Sequence, residues 1–502
     1  MTEALSTTTR PVRVRMAPSP TGSPHVGLVR TALFNWAFAE HAKRQGQDAT
    51  FVFRIEDTDK ERSTEESFRA ILELMHWLGL TWTEGVEAGG EYGPYKQSER
   101  TELYAEVLAK LAASSYTYDC FCKNEEVDAR RKASGSKSLG YDGFCRDLSA
   151  EQRAAFEAEG RTSVVRFRMP EGSITWTDLV RGDVTFETEH VPDFALARAN
   201  GDPLYTLTAP VDDATMRISH VLRGEDLLSS TPRQIALFEA LEAIEVAEFT
   251  PEYGHLPYVM GEGNKKLSKR DPQAHALAYR DQGYLPEGLL NYLSLLGWAI
   301  AADRDVFTLD EMVEAFDLKD VNPNPARFDL KKCDAINASH MRMLSVEEIT
   351  ERSLPFLTSA GVLDASSEAD RQLLDQAMPL VAERVNKLAE VPEMLAFLFV
   401  SEEDFTLDEA DAAKLLNEQG LEVVKAAHAG LEALGTWSTD AIQTALQTAL
   451  VDEMGLKPRV AFGPVRVAVT GRRVSPPLFE SLELLGRERG LGRLAAAASR
   501  TA

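Results

Sequence analysis

Two short stretches of this chain carry residue types suited to phosphate chemistry. The first, Pro18-Ser19-Pro20-Thr21-Gly22-Ser23-Pro24-His25-Val26-Gly27-Leu28, is a loop of turn formers running into an apolar-periodic segment. The second, far downstream, is Lys266-Leu267-Ser268-Lys269-Arg270. A loop that feeds a helix puts backbone N–H groups and the positive end of a dipole where a nucleotide phosphate can sit. His25 adds a donor there, and Lys266 and Lys269 bring mobile positive charge. The set suits activation of a carboxylate by ATP. That in-line displacement at phosphorus needs positioned reactants and stabilised phosphate charge more than a general base. Taken singly, each feature also has an ordinary reading. A Pro/Gly loop is a turn, a lysine cluster is a solvated face, and a histidine at a helix start is a cap or core residue.

Around the first stretch the pattern is that of a parallel sheet. Val12-Arg13-Val14-Arg15-Met16 alternates with period two and predicts a strand. Val26, Val29, Leu33, Ala37 and His41 fit a helix that stops near Gly46, and Thr50 to Ile55 reads as the next strand. Ser63 with Glu66 forms a candidate capping box for a second helix ending at Leu78 and Gly79. Strand, helix, strand, helix argues for a sheet whose ligands bind at the carboxyl ends of its strands, where the His25 loop lies.

The middle of the chain changes character. A helical pattern over Ser98 to Ala113 gives way to a cysteine-bearing segment and to β-rich runs at Ser163 to Arg168 and Asp183 to Glu187, which reads as an insertion. Alternation resumes with a strand at Arg217 to Leu222, then Arg223-Gly224-Glu225-Asp226 and a helix from Thr231 to Leu241. Beyond the lysine cluster the chain is helical, rich in Leu, Ala and Glu, with a loop at Asn322-Pro323-Asn324-Pro325.

Composition bounds these readings. With 502 residues, 44% hydrophobic and 26% charged, the chain is expected to form several soluble domains. No long apolar run occurs and Met1 to Arg10 is polar, so a cytoplasmic protein without a membrane segment is expected. Four cysteines are too few for a disulfide scaffold and point to reduced thiols or metal ligands. A balance of 54 basic against 79 acidic residues, net −25, argues against nucleic acid unless a local basic face exists. From Gly455 to Ala502 nine basic residues stand against three acidic ones. This is either a surface complementing acidic neighbours or an RNA contact.

The motifs together resemble the class I aminoacyl-tRNA synthetases, and among them the bacterial glutamyl-type members. The resemblance rests on Ala17 to Gly22 leading to His25-Val26-Gly27, on Arg54-Ile55-Glu56-Asp57-Thr58-Asp59 and on Gly93-Pro94-Tyr95-Lys96-Gln97-Ser98-Glu99-Arg100. It continues through Val221-Leu222-Arg223-Gly224-Glu225-Asp226 and Lys266 to Arg270, in family order along nearly the whole chain. It implies an α/β fold with a split Rossmann catalytic domain (1–95 and 208–262) holding an inserted α+β acceptor-stem-binding domain (96–207). A stem-contact domain (263–340) carrying the KMSKS-like loop and an all-helical anticodon-binding half (341–502) follow. The implied activity is ATP-dependent activation of L-glutamate to glutamyl-adenylate, dependent on bound tRNA, and transfer to the 3' end of tRNA(Glu), with tRNA(Gln) a second candidate. The enzyme would act as a monomer with Mg²⁺.

The resemblance also assigns residues. Pro18, Ser19, Pro20, Thr21, Gly22, His25, Gly27, Asp226, Val259, Lys266, Leu267, Ser268, Lys269 and Arg270 would bind ATP, with His25, Lys266 and Lys269 catalytic. A second histidine common in the first motif is Leu28 here, which shifts phosphate binding toward the lysines. Selecting glutamate calls for planar bidentate donors to its extra carboxylate, and Arg15 and Arg223 fit, although a strand-end ion pair is the ordinary reading of each. Glu56 would hold the substrate ammonium, Tyr205 would line the pocket, and Ala17 and Ser19 would contact the amino acid. Ala209 stands where some relatives are polar. Cys120, Cys122, Cys145 and Asp147 resemble a structural Zn²⁺ site, with buried free thiols the alternative. Arg384, within Glu383-Arg384-Val385-Asn386-Lys387-Leu388, would read an anticodon base. Cys333 is expected in the core. The competing class is a non-catalytic tRNA-binding or regulatory descendant, which intact His25, Glu56, Arg223, Lys266 and Lys269 oppose.

Overall fold

Strand β1 (Val12–Met16), helix α1 (Val26–Arg44), strand β2 (Ala49–Phe53), helix α2 (Glu65–Leu78) and strand β3 (Glu84–Gly85) open the chain in the alternation its periodicity predicts. The computed structural model describes residues 10–134, 140–261, 263, 265–268 and 271–500; Lys269 and Arg270 lie outside the described residues. Parallel pairing sets Val14 opposite Phe51 and Phe53 opposite Gly85. Helix α1 buries Val26, Val29, Leu33 and Ala37, the predicted stripe, against this sheet.

The start of α2 corrects the sequence reading. Thr64, not Ser63, is the N-cap, its hydroxyl accepting from the Ser67 N–H at 3.1 Å and donating to the Ser67 hydroxyl at 2.9 Å. The C-terminus follows expectation, with Gly79 in the left-handed region at φ 69°.

The insertion holds α3 (Thr101–Ala112), β4 (Thr117–Cys120), α4 (Asn124–Ser134), α5 (Ala150–Ala158) and strands β5 (Val164–Phe167), β6 (Ser173–Asp178), β7 (Gly182–Glu187) and β8 (Phe194–Ala195). β4, β5 and β8 form one antiparallel sheet and β6 with β7 a hairpin. After α6 (Tyr205–Thr215) come β9 (His220–Gly224), α7 (Thr231–Ala243), β10 (Glu252–Leu256) and β11 (Val259–Met260), the last paired with β12 (Ala326–Arg327). β9 starts later than predicted because Arg217 turns through φ 55°. It lies beside β1, where the Ser219 N–H donates to the Arg13 carbonyl at 2.9 Å, and pairs in parallel with β10, Arg223 opposite His255. The sheet therefore reads β3, β2, β1, β9, β10, with the insertion entering between β3 and β9. This is the split Rossmann arrangement expected.

Two compact units emerge, residues 1–278 with 290–330 and residues 279–289 with 331–502, so the segment 263–340 is divided between them. The second unit is helical, cored by Leu357, Leu374, Leu395, Val424, Leu431 and Leu482. Its basic C-terminal segment is partly neutralised within the unit. Arg472 pairs with Glu393, Arg473 with Asp411, and both Arg489 and Arg493 with Glu402. Cys333 is fully buried. No helix among the described residues is long and apolar enough to cross a membrane.

Candidate active site

A cavity of about 530 Å³ opens at the carboxyl ends of β1, β9 and β10. It gathers Arg15, Ala17, His25, Gly27, Glu56, Tyr205, Arg223, Asp226, Val259, Lys266, Leu267 and Ser268, residues spread over most of the first unit. Leu28 also lines it. Pro18, Ser19, Pro20, Thr21 and Gly22 are not among its lining residues. That loop is tied to the β2–α2 connection instead. The carbonyls of Pro18 and Pro20 accept from the amides of Glu56 and Thr64, the Thr21 amide closes on Ser19, and the Gly22 amide donates to the Ser67 hydroxyl at 2.9 Å. Its amides at Thr21 and Gly22 are thus already satisfied.

The acidic and basic groups at the cavity floor form one buried network. Arg15 donates from Nε to Asp213 at 3.1 Å and from Nη2 to the other carboxylate oxygen at 3.5 Å. Arg54, entirely buried, donates to Asp213 at 2.7 Å and to Glu56 at 3.0 Å, and Asp212 lies 3.7 Å away. Although burial works against its charge, these carboxylates hold the Arg54 guanidinium above its ordinary range. Burial also pushes Asp213 up, but Arg15 and Arg54 outweigh it and its carboxyl sits below the usual range. Glu56 is different. Burial raises it more than Arg54 lowers it, so it ionises less readily than an ordinary glutamate. Tyr205 is raised as well, by burial and then by Glu56.

Arg223 carries the other kind of guanidinium. It is 4% exposed and its partners are neutral, the His255 ring at 3.1 Å, the Gln234 carbonyl at 2.7 Å and the Thr231 hydroxyl at 2.8 Å. No carboxylate lies within ion-pair distance of it among the described residues. A buried cation without a counter-charge is costly, and an incoming carboxylate relieves that cost.

At the other end of the cavity His25 is the N-cap of α1. Its Nδ1 accepts from the Leu28 amide at 3.1 Å, which leaves Nε2 to carry the proton of the neutral ring. Gly27 lies close beside it, so that a Cβ there would stand 3.0 Å from Nδ1 and the ring would have to give by a few tenths of an ångström. Lys266 reaches over the Tyr258 ring at 4.6 Å and lies 3.5 Å from Asp226, both charges more than half exposed. Ser268 donates its amide to Asp271 at 2.7 Å. Arg30, missed in the sequence, also lines the cavity; buried and bonded to the Leu296 and Pro257 carbonyls, it is lowered by burial to about 10.

Asp212, Asp213 and His255 were likewise not singled out. The first two had a signal, paired acids inside an otherwise apolar helical stretch. His255 had none, because its role depends on strand pairing. Ala209 is buried on α6.

In the insertion Cys120, Cys122 and Cys145 bring their sulfurs within 4.8 Å of one another, and none is in a disulfide. Asp147 does not join them. Its carboxylate is largely exposed and pairs with Arg168 at 3.1 Å, because the chain leaves the cluster after Cys145. The oxygen beside the thiols is the Tyr141 hydroxyl, 3.9 Å from the Cys122 sulfur and accepting from the Cys145 amide at 2.6 Å. In the second unit, Arg384 is exposed in the turn after Val381, near Arg466.

Residues 11–335 match the family model described as tRNA synthetases class I (E and Q), catalytic domain, and residues 348–498 match the anticodon binding domain model. A glutamate–tRNA ligase of a Nocardioides species is 75% identical over 97% of this chain and 98% of its own length. That of Saccharopolyspora erythraea is 60% identical over 97% and 96%. Among solved structures, a glutamate tRNA ligase from Elizabethkingia meningosepticum in complex with its amino acid superposes with a TM-score of 0.82. It is 29% identical and covers 97% of this chain and 99% of that one.

Proposed function

The chain belongs to the class I tRNA synthetases for glutamate and glutamine, and from that premise we infer how its residues ligate glutamate to tRNA at the expense of ATP. The observation that carries the substrate assignment is Arg223, a buried guanidinium held by neutral groups at the cavity wall. With Arg15 opposite, it receives the side-chain carboxylate of L-glutamate. Glu56 takes the α-ammonium, and Tyr205 and Ala17 close the pocket around the aliphatic stem. This leaves the α-carboxylate facing the His25 and Lys266 end of the cavity.

There His25 offers Nε2–H to a phosphate, and Asp226 and Val259 flank the adenosine. Lys266, with Lys269 of the same loop, balances charge as pyrophosphate leaves. The family uses ATP with Mg²⁺, which when bound neutralises phosphate charge. A terminal ribose hydroxyl of tRNA then attacks the activated carbonyl, breaking the acyl–phosphate bond and releasing AMP. The insertion serves the acceptor end and the helical unit the anticodon, where Arg384 contacts a base.

The three thiols suit a structural Zn²⁺ held by Cys120, Cys122 and Cys145, with the Tyr141 hydroxyl as the nearest fourth donor in place of Asp147. Such an ion would stiffen a loop-rich segment.

The test is a charging assay with purified protein, Mg²⁺, ATP, glutamate and either tRNA(Glu) or tRNA(Gln). Glutamyl-tRNA formed on tRNA(Glu) is the expected product, and its absence overturns the reading. The second tRNA measures discrimination.

A further inference from the structure

Beyond the groups that line the cavity, a chain of buried polar atoms runs from the inserted hairpin to Arg223. Asp178 ends β6 and is 2% exposed. Its Oδ1 accepts from the amides of Val180, Arg181 and His255, each at 3.1 Å, and its Oδ2 lies 2.5 Å from His255 Nδ1. His255, wholly buried on β10, presents Nε2 to Arg223 Nε at 3.1 Å. The Thr231 hydroxyl is 3.0 Å from the same Nε2 and the Tyr253 ring is stacked alongside.

Proton positions follow from the donors. The Arg223 guanidinium has only N–H groups, so the His255 nitrogen facing it must be an acceptor. The ring is then neutral with its proton on Nδ1, where Asp178 receives it. A proton on Nε2 would set two N–H groups against each other in a buried site. Burial lowers His255, with Arg223 and Arg181 adding to that against Asp178. The same hairpin turn places Arg181 on Glu225, which in turn accepts from the Tyr258 amide at 2.8 Å.

We propose that His255 is a positioning residue for glutamate recognition, its Nδ1–H tautomer fixed by Asp178 of the inserted domain so that Nε2 aims the Arg223 guanidinium at the substrate carboxylate. Asp178 thereby supplies the counter-charge to Arg223 at one remove, so that with the neutral Gln234 on Nη1 and Thr231 on Nη2 no acid among the described residues competes with the substrate carboxylate for the guanidinium. The insertion is thus part of the amino-acid site as well as of the tRNA surface. This rests on the reading that Arg223 binds the glutamate carboxylate.

The experiment compares Asp178→Asn, His255→Gln, His255→Leu and the double variant Asp178→Asn/His255→Gln in tRNA-dependent pyrophosphate exchange, with KM measured for glutamate and for ATP. The Asp178→Asn variant keeps the backbone contacts but turns an amide N–H₂ toward Nδ1, forcing the proton to Nε2. It is expected to raise the glutamate KM about tenfold or more while leaving the ATP KM unmoved, the loss of one buried charge-assisted bond. His255→Gln supplies a carbonyl in place of Nε2, so its glutamate KM should fall well below that of His255→Leu, and Asp178→Asn should add little in the His255→Gln background. A wild-type glutamate KM in Asp178→Asn, equal shifts in both KM values, or a full Asp178→Asn effect in the His255→Gln background would each overturn the proposal. Should Asp178→Asn fail to fold, equal glutamate KM values for His255→Gln and His255→Leu would do so. Arg223→Lys separates the two layers. An unchanged glutamate KM there removes the reading of Arg223, whereas a raised one with a silent Asp178→Asn removes this inference alone.

Discussion

Arg15 on β1 and Asp213 on α6 meet through two hydrogen bonds, 3.1 and 3.5 Å, at the floor of the cavity, although 198 residues separate them along the chain. The same carboxylate receives Arg54 at 2.7 Å, so one acid orients Arg15, the arginine proposed to bind glutamate, and neutralises a second, wholly buried one. Asp213→Asn is expected to destabilise the first unit by about 3–5 kcal/mol, the cost of leaving buried cations undercompensated. It should also raise the glutamate KM more than the ATP KM. Urea unfolding followed by steady-state kinetics checks both, and a variant as stable as the parent sinks the argument.

Glu56 gives a pH dependence with a definite sign. Its carboxyl is raised by burial, so as pH falls it takes up a proton before an exposed glutamate, near about 4.3, would. The protonated form cannot balance the substrate ammonium. Glutamate KM should therefore rise toward acid, beginning above the ordinary carboxylate range, and Glu56→Gln should show a high KM without that limb. Persistence of the acid limb in Glu56→Gln would assign it elsewhere.

Lys266 stands over Tyr258 and beside Asp226, at the end of the cavity proposed for the nucleotide. Lys266→Ala is expected to slow adenylate formation by about 10²-fold, the scale for removing one positioned charge-stabilising donor, with tRNA affinity unaltered. The same outcome is expected for Lys269→Ala. Pyrophosphate exchange and filter binding measured on one preparation separate the two quantities, and parallel losses in both would point to misfolding.

Gly27→Ala tests the seat of His25. The added Cβ would lie 3.0 Å from Nδ1 and 3.2 Å from Cε1, pressing the ring away from the Leu28 amide that it accepts from at 3.1 Å. A cap loss of about 1 kcal/mol and a lowered kcat are expected, visible by thermal melting and charging kinetics. Unchanged values in both would mean the ring has room to move.

The thiol cluster makes a prediction about metal content. Cys145→Ala should lose bound zinc and lower the melting temperature, whereas Asp147→Ala should keep it, since Asp147 pairs with Arg168 outside the cluster. Elemental analysis of the purified variants decides the point. Zinc lost from Asp147→Ala would restore the aspartate as a ligand.

Local pattern determined the first layer of this protein. Period-two runs at Val12 to Met16 and period-3.6 runs from Val26 placed a strand and helix where they stand, because burying one face is a property of short segments. The motif residues also identified the chemistry, since phosphate and carboxylate binding need particular side chains whatever surrounds them. Tertiary structure alone decided the pairings. Nothing in the sequence around Arg15 says that it meets Asp213, nor that Arg223 meets the His255 ring and, among the described residues, no acid, because strand order and helix docking bring together residues far apart in the chain. For the same reason the basic C-terminal segment, open in the sequence to two readings, resolved in part into ion pairs with Glu393, Asp411 and Glu402. Asp147 lay beside the thiols in sequence only. Whether a charge is spent on a neighbour or left for a ligand is a matter of distance in space, and that the fold alone sets.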